Sequence, residues 1–227
     1  MKIIMLILAC CTLVFSVSVS ATSAEINKNK IDLTQFDYPF LLGDWFLTNP
    51  APGEGHADFL AIRLHIASNY QFAIEIQNKD QSTNYWQGNY SLSNDTLILG
   101  LDTETPQTYS YLANHNHLML NGIPFVKGYS PELIGRWKSA EIKGDDILAS
   151  NVSHVSLTLQ PDFMFLFMSE SADGNLAAYQ GIYYYEGENL VLMYEKGEHN
   201  SRYKVENNTL TLEGTGFDMY TVMNRVE

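Results

Sequence analysis

After residue 40, hydrophobic and polar residues alternate along most of this chain. Ile62, Leu64 and Ile66 are separated by Arg63 and His65, and Tyr70, Phe72, Ile74 and Ile76 by Gln71, Ala73 and Glu75. A period of two marks a strand with one buried face. Similar stretches follow at Trp86–Leu92, Leu97–Leu101, Thr108–Ala113 and Leu118–Leu120. Another set runs through Val155–Leu159, Phe163–Met168, Gln180–Tyr185, Leu190–Tyr194, Tyr203–Val205, Leu210–Leu212 and Asp218–Met223. Asn78 to Asn84, Asn94-Asp95 and Asn114 to Asn116 supply turns between them. No stretch shows convincing helical amphipathicity. Many short strands at regular spacing predict an all-β chain built as antiparallel meanders, closed into barrels, with little or no helix outside an N-terminal leader.

The strands fall into two matching runs. Leu42-Gly43-Asp44-Trp45 opens the first, and Ile134-Gly135-Arg136-Trp137 opens the second. Trp86-Gln87-Gly88-Asn89-Tyr90 then matches Tyr179-Gln180-Gly181-Ile182-Tyr183, and Leu97-Ile98-Leu99 matches Leu190-Val191-Leu192. Leu118, Gly122 and Phe125 match Leu210, Gly214 and Phe217. Anchors in the same order at nearly constant offset predict a tandem duplication. The boundaries read as a first repeat at 41–127, a short linker at 128–132 and a second repeat at 133–227. Roughly 90 residues suffices for a small independent domain.

The N-terminus adds an address. Lys2 is the only charge before Glu25, an apolar run spans Ile3 to Val17, and small residues end at Ala21 and Ala24. This pattern predicts a signal peptide over 1–24 and a secreted or periplasmic protein. Its apolar run is short for a retained anchor, so no integral membrane segment is expected in the mature chain. Residues 25–40 then form a leader arm, expected to strap over the first repeat. Cys10 and Cys11 leave with the signal, so no disulfide or cysteine chemistry is expected. Loss of Lys2 from 13 basic and 26 acidic residues changes the net charge from −13 to −14. Such an acidic chain is unsuited to nucleic acid, which needs clustered Lys and Arg.

Gly43 with Trp45, Gly135 with Trp137, Gly88 with Tyr90 and Gly181 with Tyr183 make a Gly-x-Trp strand followed by a Gly-x-Tyr strand in each repeat. This resembles the lipocalin and avidin-like barrels, in particular small bacterial lipocalin-like domains. The resemblance implies a tryptophan closing one end of each barrel, with a glycine allowing close strand packing beside it. It also implies a ligand-binding habit. Classical lipocalins spend about twice this length on one barrel, so each repeat is a compact version whose interior side chains can fill.

The copies differ most on their outer faces. If Tyr70, Phe72 and Ile74, like Phe163, Phe165 and Phe167, point inward, the first copy presents Gln71, Ala73 and Glu75 outward. The second presents Met164, Leu166 and Met168. On the next strand Asn89 and Ser91 become Ile182 and Tyr184. Met164, Leu166, Met168, Ile182 and Tyr184 therefore form an expected apolar patch, extended by Val191. It is either covered by the other repeat or the arm, or a surface for a partner or apolar ligand.

Candidate chemistry is sparse. His115 and His117 could share a metal, but no third ligand is in view and the asparagines around them read as a hairpin tip. Glu186, Glu188, Glu195 and Glu198 cluster beside glycines and read as solvated turns rather than a catalytic pair. No Gly-x-Ser-x-Gly, phosphate loop or His-Glu-x-x-His occurs. Asn89, Asn94, Asn151 and Asn207 are formal glycosylation acceptors. No cofactor is expected. The expected function is non-catalytic binding of an apolar small molecule or a protein partner. Inhibition of an exported protease through the leader arm is the alternative, and an enzyme with an unrecognised polar cleft the third reading.

Overall fold

Two closed, eight-stranded antiparallel barrels follow one another along the chain. The computed structural model describes Leu33, residues 36–51 and residues 58–226. The expected signal segment at 1–24, most of the 25–40 arm and residues 52–57 lie outside the described residues.

The first barrel comprises β1 (Gly43–Thr48), β2 (Phe59–Ile66), β3 (Gln71–Asn78), β4 (Thr83–Leu92), β5 (Thr96–Leu99), β6 (Gln107–Ala113), β7 (His117–Leu120) and β8 (Ile123–Lys127). The second comprises β9 (Gly135–Lys143), β10 (Val152–Leu159), β11 (Met164–Ser171), β12 (Leu176–Glu186), β13 (Asn189–Tyr194), β14 (Gly197–Glu206), β15 (Thr209–Gly214) and β16 (Tyr220–Val226). One short helix, α1 (Asp145–Ala149), lies between β9 and β10, and a 3₁₀ turn at Pro39–Leu41 precedes β1. Within each barrel every strand pairs with its successor, so those connections are local hairpins. Closure differs between the barrels. β1 meets β8 only at Trp45 with Lys127 and Phe46 with Val126. β16 pairs with β9 along its whole length, from Tyr220 with Lys143 to Val226 with Arg136.

The all-β, two-barrel architecture matches the alternation in the sequence. Ile62, Leu64, Ile66, Phe72, Ile74 and Ile76 fill the first interior, while Val155, Leu157, Leu159, Phe165, Leu190 and Leu210 fill the second. Two expectations are corrected. β8 has no counterpart among the predicted strands. Tyr70 does not point inward as a strand residue; it is exposed, in the turn before β3. Its equivalent, Phe163, is buried, yet also sits in a turn rather than in β11. Both adopt left-handed backbone angles, with φ of 62° and 66°. Such a φ is uncommon outside glycine, and its recurrence at the same place shows that the turn itself was duplicated.

Hydrogen bonds repeat as well. Trp45 Nε1 donates to the Leu41 carbonyl at 2.8 Å, and Trp137 Nε1 to that of Leu133 at 3.0 Å. Tyr90 Oη donates to the Ala67 carbonyl and Tyr183 Oη to that of Gln160, both at 2.7 Å. Buried indole and phenol groups need such partners. A cation covers each tryptophan ring. Lys127 Nζ lies 5.3 Å from the Trp45 ring centre, and the Arg225 guanidinium carbon lies 4.2 Å from that of Trp137. A side chain at Gly135 would run into that guanidinium, and the residue holds a φ of 144°.

The barrels are packed together. Tyr184 and Val191, facing outward from β12 and β13, are buried in the first barrel's apolar cluster alongside Leu33 and Phe36. Lys127 Nζ also lies 4.9 Å from the ring centre of Phe163 in the second barrel. Glu186 at the end of β12 accepts the Ser68 backbone N–H at 2.9 Å, joining the β12 end to the β2–β3 turn.

Candidate functional site

The second barrel is hollow at one end. β9 starts beside Trp137 and runs away from it, so the ends of β9, β10 and β16 that carry α1, Val152 and Met219 lie opposite that tryptophan. There the interior opens into a cup of about 590 Å³. Val155, Leu192 and Leu212 line its apolar depth, and Asp146, Asn175 and Leu176 stand toward its rim. A cup of this size lies within the usual range for small-ligand pockets, about 300–1,000 Å³.

The repeat explains the cavity. Strand register equates Leu97 and Tyr109 of the first barrel with Leu190 and Ser201 of the second. It likewise equates Ile74 and Trp86 with Phe167 and Tyr179. By the same offset along β3 and β11, Ile76 corresponds to Ser169. In the first barrel Tyr109 and Ile76 are buried, and Trp86 stands edge-on to Phe72 with ring centres 4.8 Å apart. In the second, serines replace Tyr109 and Ile76. The volume those side chains would fill is open, and Ser169 and Ser201 line it.

Around the cup runs an arc of aromatic rings. Phe167 and Tyr179 have ring centres 6.4 Å apart; Tyr179 to Tyr194, Tyr194 to His199 and His199 to Phe217 are each 5.3 Å. All five line the cup. In the first barrel Trp86 keeps an aromatic ring at the place of Tyr179, whereas Ile74, Leu101 and Gln107 stand at the places of Phe167, Tyr194 and His199. His199 Nε2 lies 3.5 Å from Tyr194 Oη, and burial lowers its pKa, so the ring is neutral near pH 7. The rim is clasped. Asp145 N–H donates to Asp218 Oδ2, and Asp218 N–H donates to Asp146 Oδ2, both at 2.7 Å.

The residues singled out by sequence are dispersed. Gly43, Trp45, Gly88, Tyr90, Gly135, Trp137, Gly181 and Tyr183 occupy matching framework positions, and both tryptophans and both tyrosines are buried. Of the outer apolar face, Tyr184 is buried between the barrels, Met164, Leu166 and Ile182 are half-buried, and Met168 is 43 % exposed. Met164 pairs with Ile182 across β11 and β12. None of these residues lines the cup. Among the four clustered glutamates, Glu186 is not a solvated turn residue but a half-buried tie between the barrels; Glu188 pairs with Arg202 at 3.1 Å. His117 Nδ1 lies 2.6 Å from Asn116 Oδ1 at an exposed hairpin tip. Among the described residues, no group of three His, Cys, Asp or Glu is placed to hold a metal. The cup residues face inward, so the contrast between the outer faces of the repeats does not reveal them. Comparing inward positions, Ile76 with Ser169 and Tyr109 with Ser201, carries the signal.

A second polar group lies near the seam. Asp44 accepts from Arg63 Nε at 3.0 Å, and His65 Nδ1 lies 2.9 Å from the same oxygen. Burial pushes the Asp44 carboxyl up, but the hydrogen bonds from His65 and Arg63 outweigh it and hold the pKa below the ordinary value. The bond to Asp44 raises the pKa of His65 in turn. All three side chains are more than a third exposed, which makes this a partly solvated ion-pair network.

No family model matches this chain, and no curated protein does. Among solved structures it is similar to a protein of unknown function from the DUF3598 family of Nostoc punctiforme. That likeness has 12 % identity and a TM-score of 0.23, and covers 85 % of this chain and 99 % of the other. Among the described residues no helix is long and apolar enough to cross a membrane.

Proposed function

We propose that this chain is an exported, non-catalytic binding protein of lipocalin-like type, and that its second barrel is the part that binds. The observation carrying this reading is the cup of about 590 Å³ in the second barrel, at positions where the first barrel is filled. A cup of that size open to solvent leaves apolar lining in contact with water. A ligand that fills it removes that surface from water. The first barrel then serves as a packed support. Export rests on the N-terminal pattern of Lys2, the apolar run and the small residues at Ala21 and Ala24.

Refilling the cup tests the reading. Ser201→Tyr restores the side chain that the first barrel carries at Tyr109. The wild type is expected to bind the neutral fluorescent probe N-phenyl-1-naphthylamine stoichiometrically. Ser201→Tyr is expected to weaken binding by at least about tenfold, the scale set by lost apolar burial, with the circular dichroism spectrum unchanged. A wild type that binds no probe, or a variant that binds as well, would defeat the proposal.

A further inference from the structure

The cup's chemistry selects among ligands, and this step rests on the binding role just proposed. Among the described residues its walls hold no Lys or Arg. Among those residues the one formally charged side chain lining it is Asp146, at the rim, and Asp218 is clasped to Asp146's segment beside it. His199 is stacked between Tyr194 and Phe217. An anionic ligand would lose hydration on entry and meet no cation in return, while Asp146 would repel it. A cation would meet ring faces and a carboxylate, both of which attract it. A neutral ring system needs neither, and packs against the arc from Phe167 to Phe217 in the offset or tilted geometries aromatic pairs favour. We propose that the second barrel's cup is a site for neutral or singly cationic aromatic molecules and that it discriminates against anionic ones, fatty acids included.

The serines fit this assignment. Ser169 and Ser201 offer hydroxyl groups in a wall whose other polar residues include Ser150, Ser171 and Asn175. They can both donate to and accept from a ring heteroatom, amine or hydroxyl. They set orientation without supplying charge. The continuous arc belongs to this copy: the first barrel keeps a ring at Trp86, but Ile74, Leu101 and Gln107 interrupt the belt.

Two probes with one skeleton separate charge from shape: neutral N-phenyl-1-naphthylamine, and its sulfonated relative 8-anilinonaphthalene-1-sulfonate. Titrations near pH 7.5 are read as the fluorescence lost in Ser201→Tyr, so that binding elsewhere is subtracted. The neutral probe is expected to bind at least about tenfold more tightly than the sulfonate, given the cost of burying an unpaired anion. Leu176, at the rim and 78 % exposed, can be changed without disturbing the fold. Leu176→Lys is expected to tighten the sulfonate about fivefold and so narrow the gap between the two probes. Tyr194→Leu keeps an apolar wall but breaks the arc, and is expected to weaken the neutral probe about fivefold. Equal affinity of the wild type for the two probes, or tighter binding of the sulfonate, overturns the charge assignment while the binding role stands. An unchanged Tyr194→Leu overturns the aromatic assignment. If neither probe binds the wild type, the binding role itself fails.

Discussion

A lysine is an unexpected residue to bury at the end of β8. Lys127 is 7 % exposed, lies between Trp45 and Phe163, and donates to the Phe40 carbonyl at 3.2 Å. Arg225 covers Trp137 from the matching place in the second barrel, where its guanidinium donates to the carbonyls of Ile134 and Glu132. A cation on the tryptophan is thus part of the duplicated unit, but only the first copy's is walled in by the neighbouring barrel. Burial lowers the Lys127 pKa to about 7. An unfolded lysine titrates near 10.4, so between about pH 7 and 10 the unfolded chain binds the extra proton. Stability should therefore rise with pH across that window, by at most about 1.4 kcal/mol per pH unit from this group. His65 acts in the opposite sense. Its raised pKa contributes stability that is present below about pH 6.5 and lost as pH rises through the folded value. Lys127→Met isolates the lysine, because His65 is unchanged in it. Urea unfolding at pH 6, 7.5 and 9 should show the variant more stable than wild type at pH 6, with the gap closing toward pH 9. Parallel profiles would mean that Lys127 stays hydrated. None of this was legible from sequence, where Lys127 is one basic residue at the end of a short segment containing Pro124.

At the scale of the strands, what could be read depended on what faces inward. Where the interior is aliphatic, as in β2, β3 and β15, alternation located the strand closely. In β14 the alternation marks only Tyr203–Val205, yet the strand runs from Gly197 to Glu206. In β12 it marks the strand from Gln180, whereas the strand begins at Leu176. The missing turns of strand carry His199, Ser201, Ala177 and Tyr179 toward the cup, so the pattern of buried apolar residues lapses there. The residues that hid these strands are the ones that make the site. The Gly-x-Tyr strand poses a further test. A methyl group at Gly181 would overlap the Met193 backbone carbonyl across β12 and β13, whereas one at Gly88 would meet side-chain atoms of Asp102 and Phe72 at 3.0 and 3.3 Å. A side chain can turn aside and a paired strand cannot. Gly181→Ala should cost about 2–3 kcal/mol, near the upper end for overpacking, and Gly88→Ala about 1 kcal/mol or less. Chemical denaturation of both variants checks this, and equal losses would show that the second barrel's strands shift as freely as a side chain.

For the whole molecule, the question is what joins two barrels that each have their own core. The tandem was legible because Trp45 and Trp137, Gly88 and Gly181, and the strands between them recur in order. The packing of one barrel on the other was not, since an outward apolar residue reads the same whether a neighbour, an arm or a partner covers it. Tyr184 is such a residue. It faces out of its own barrel, is 2 % exposed, and belongs to the first barrel's cluster with Leu33 and Val191. Tyr184→Ala would open a cavity at that seam and should cost about 3–5 kcal/mol, as for other large aromatic truncations. The loss would fall on the coupling between the barrels more than on either interior, because Tyr183, not Tyr184, lies in the second barrel's core. Calorimetry should therefore show one unfolding transition for the wild type and two for Tyr184→Ala, the first barrel melting earlier because its closure rests on two residue pairs between β1 and β8. Met168→Ala, at an exposed position on the same outer face, should leave the single transition in place within about 0.5 kcal/mol. A single transition in Tyr184→Ala, displaced as a whole, would mean that the two barrels form one cooperative unit whose core extends across the seam.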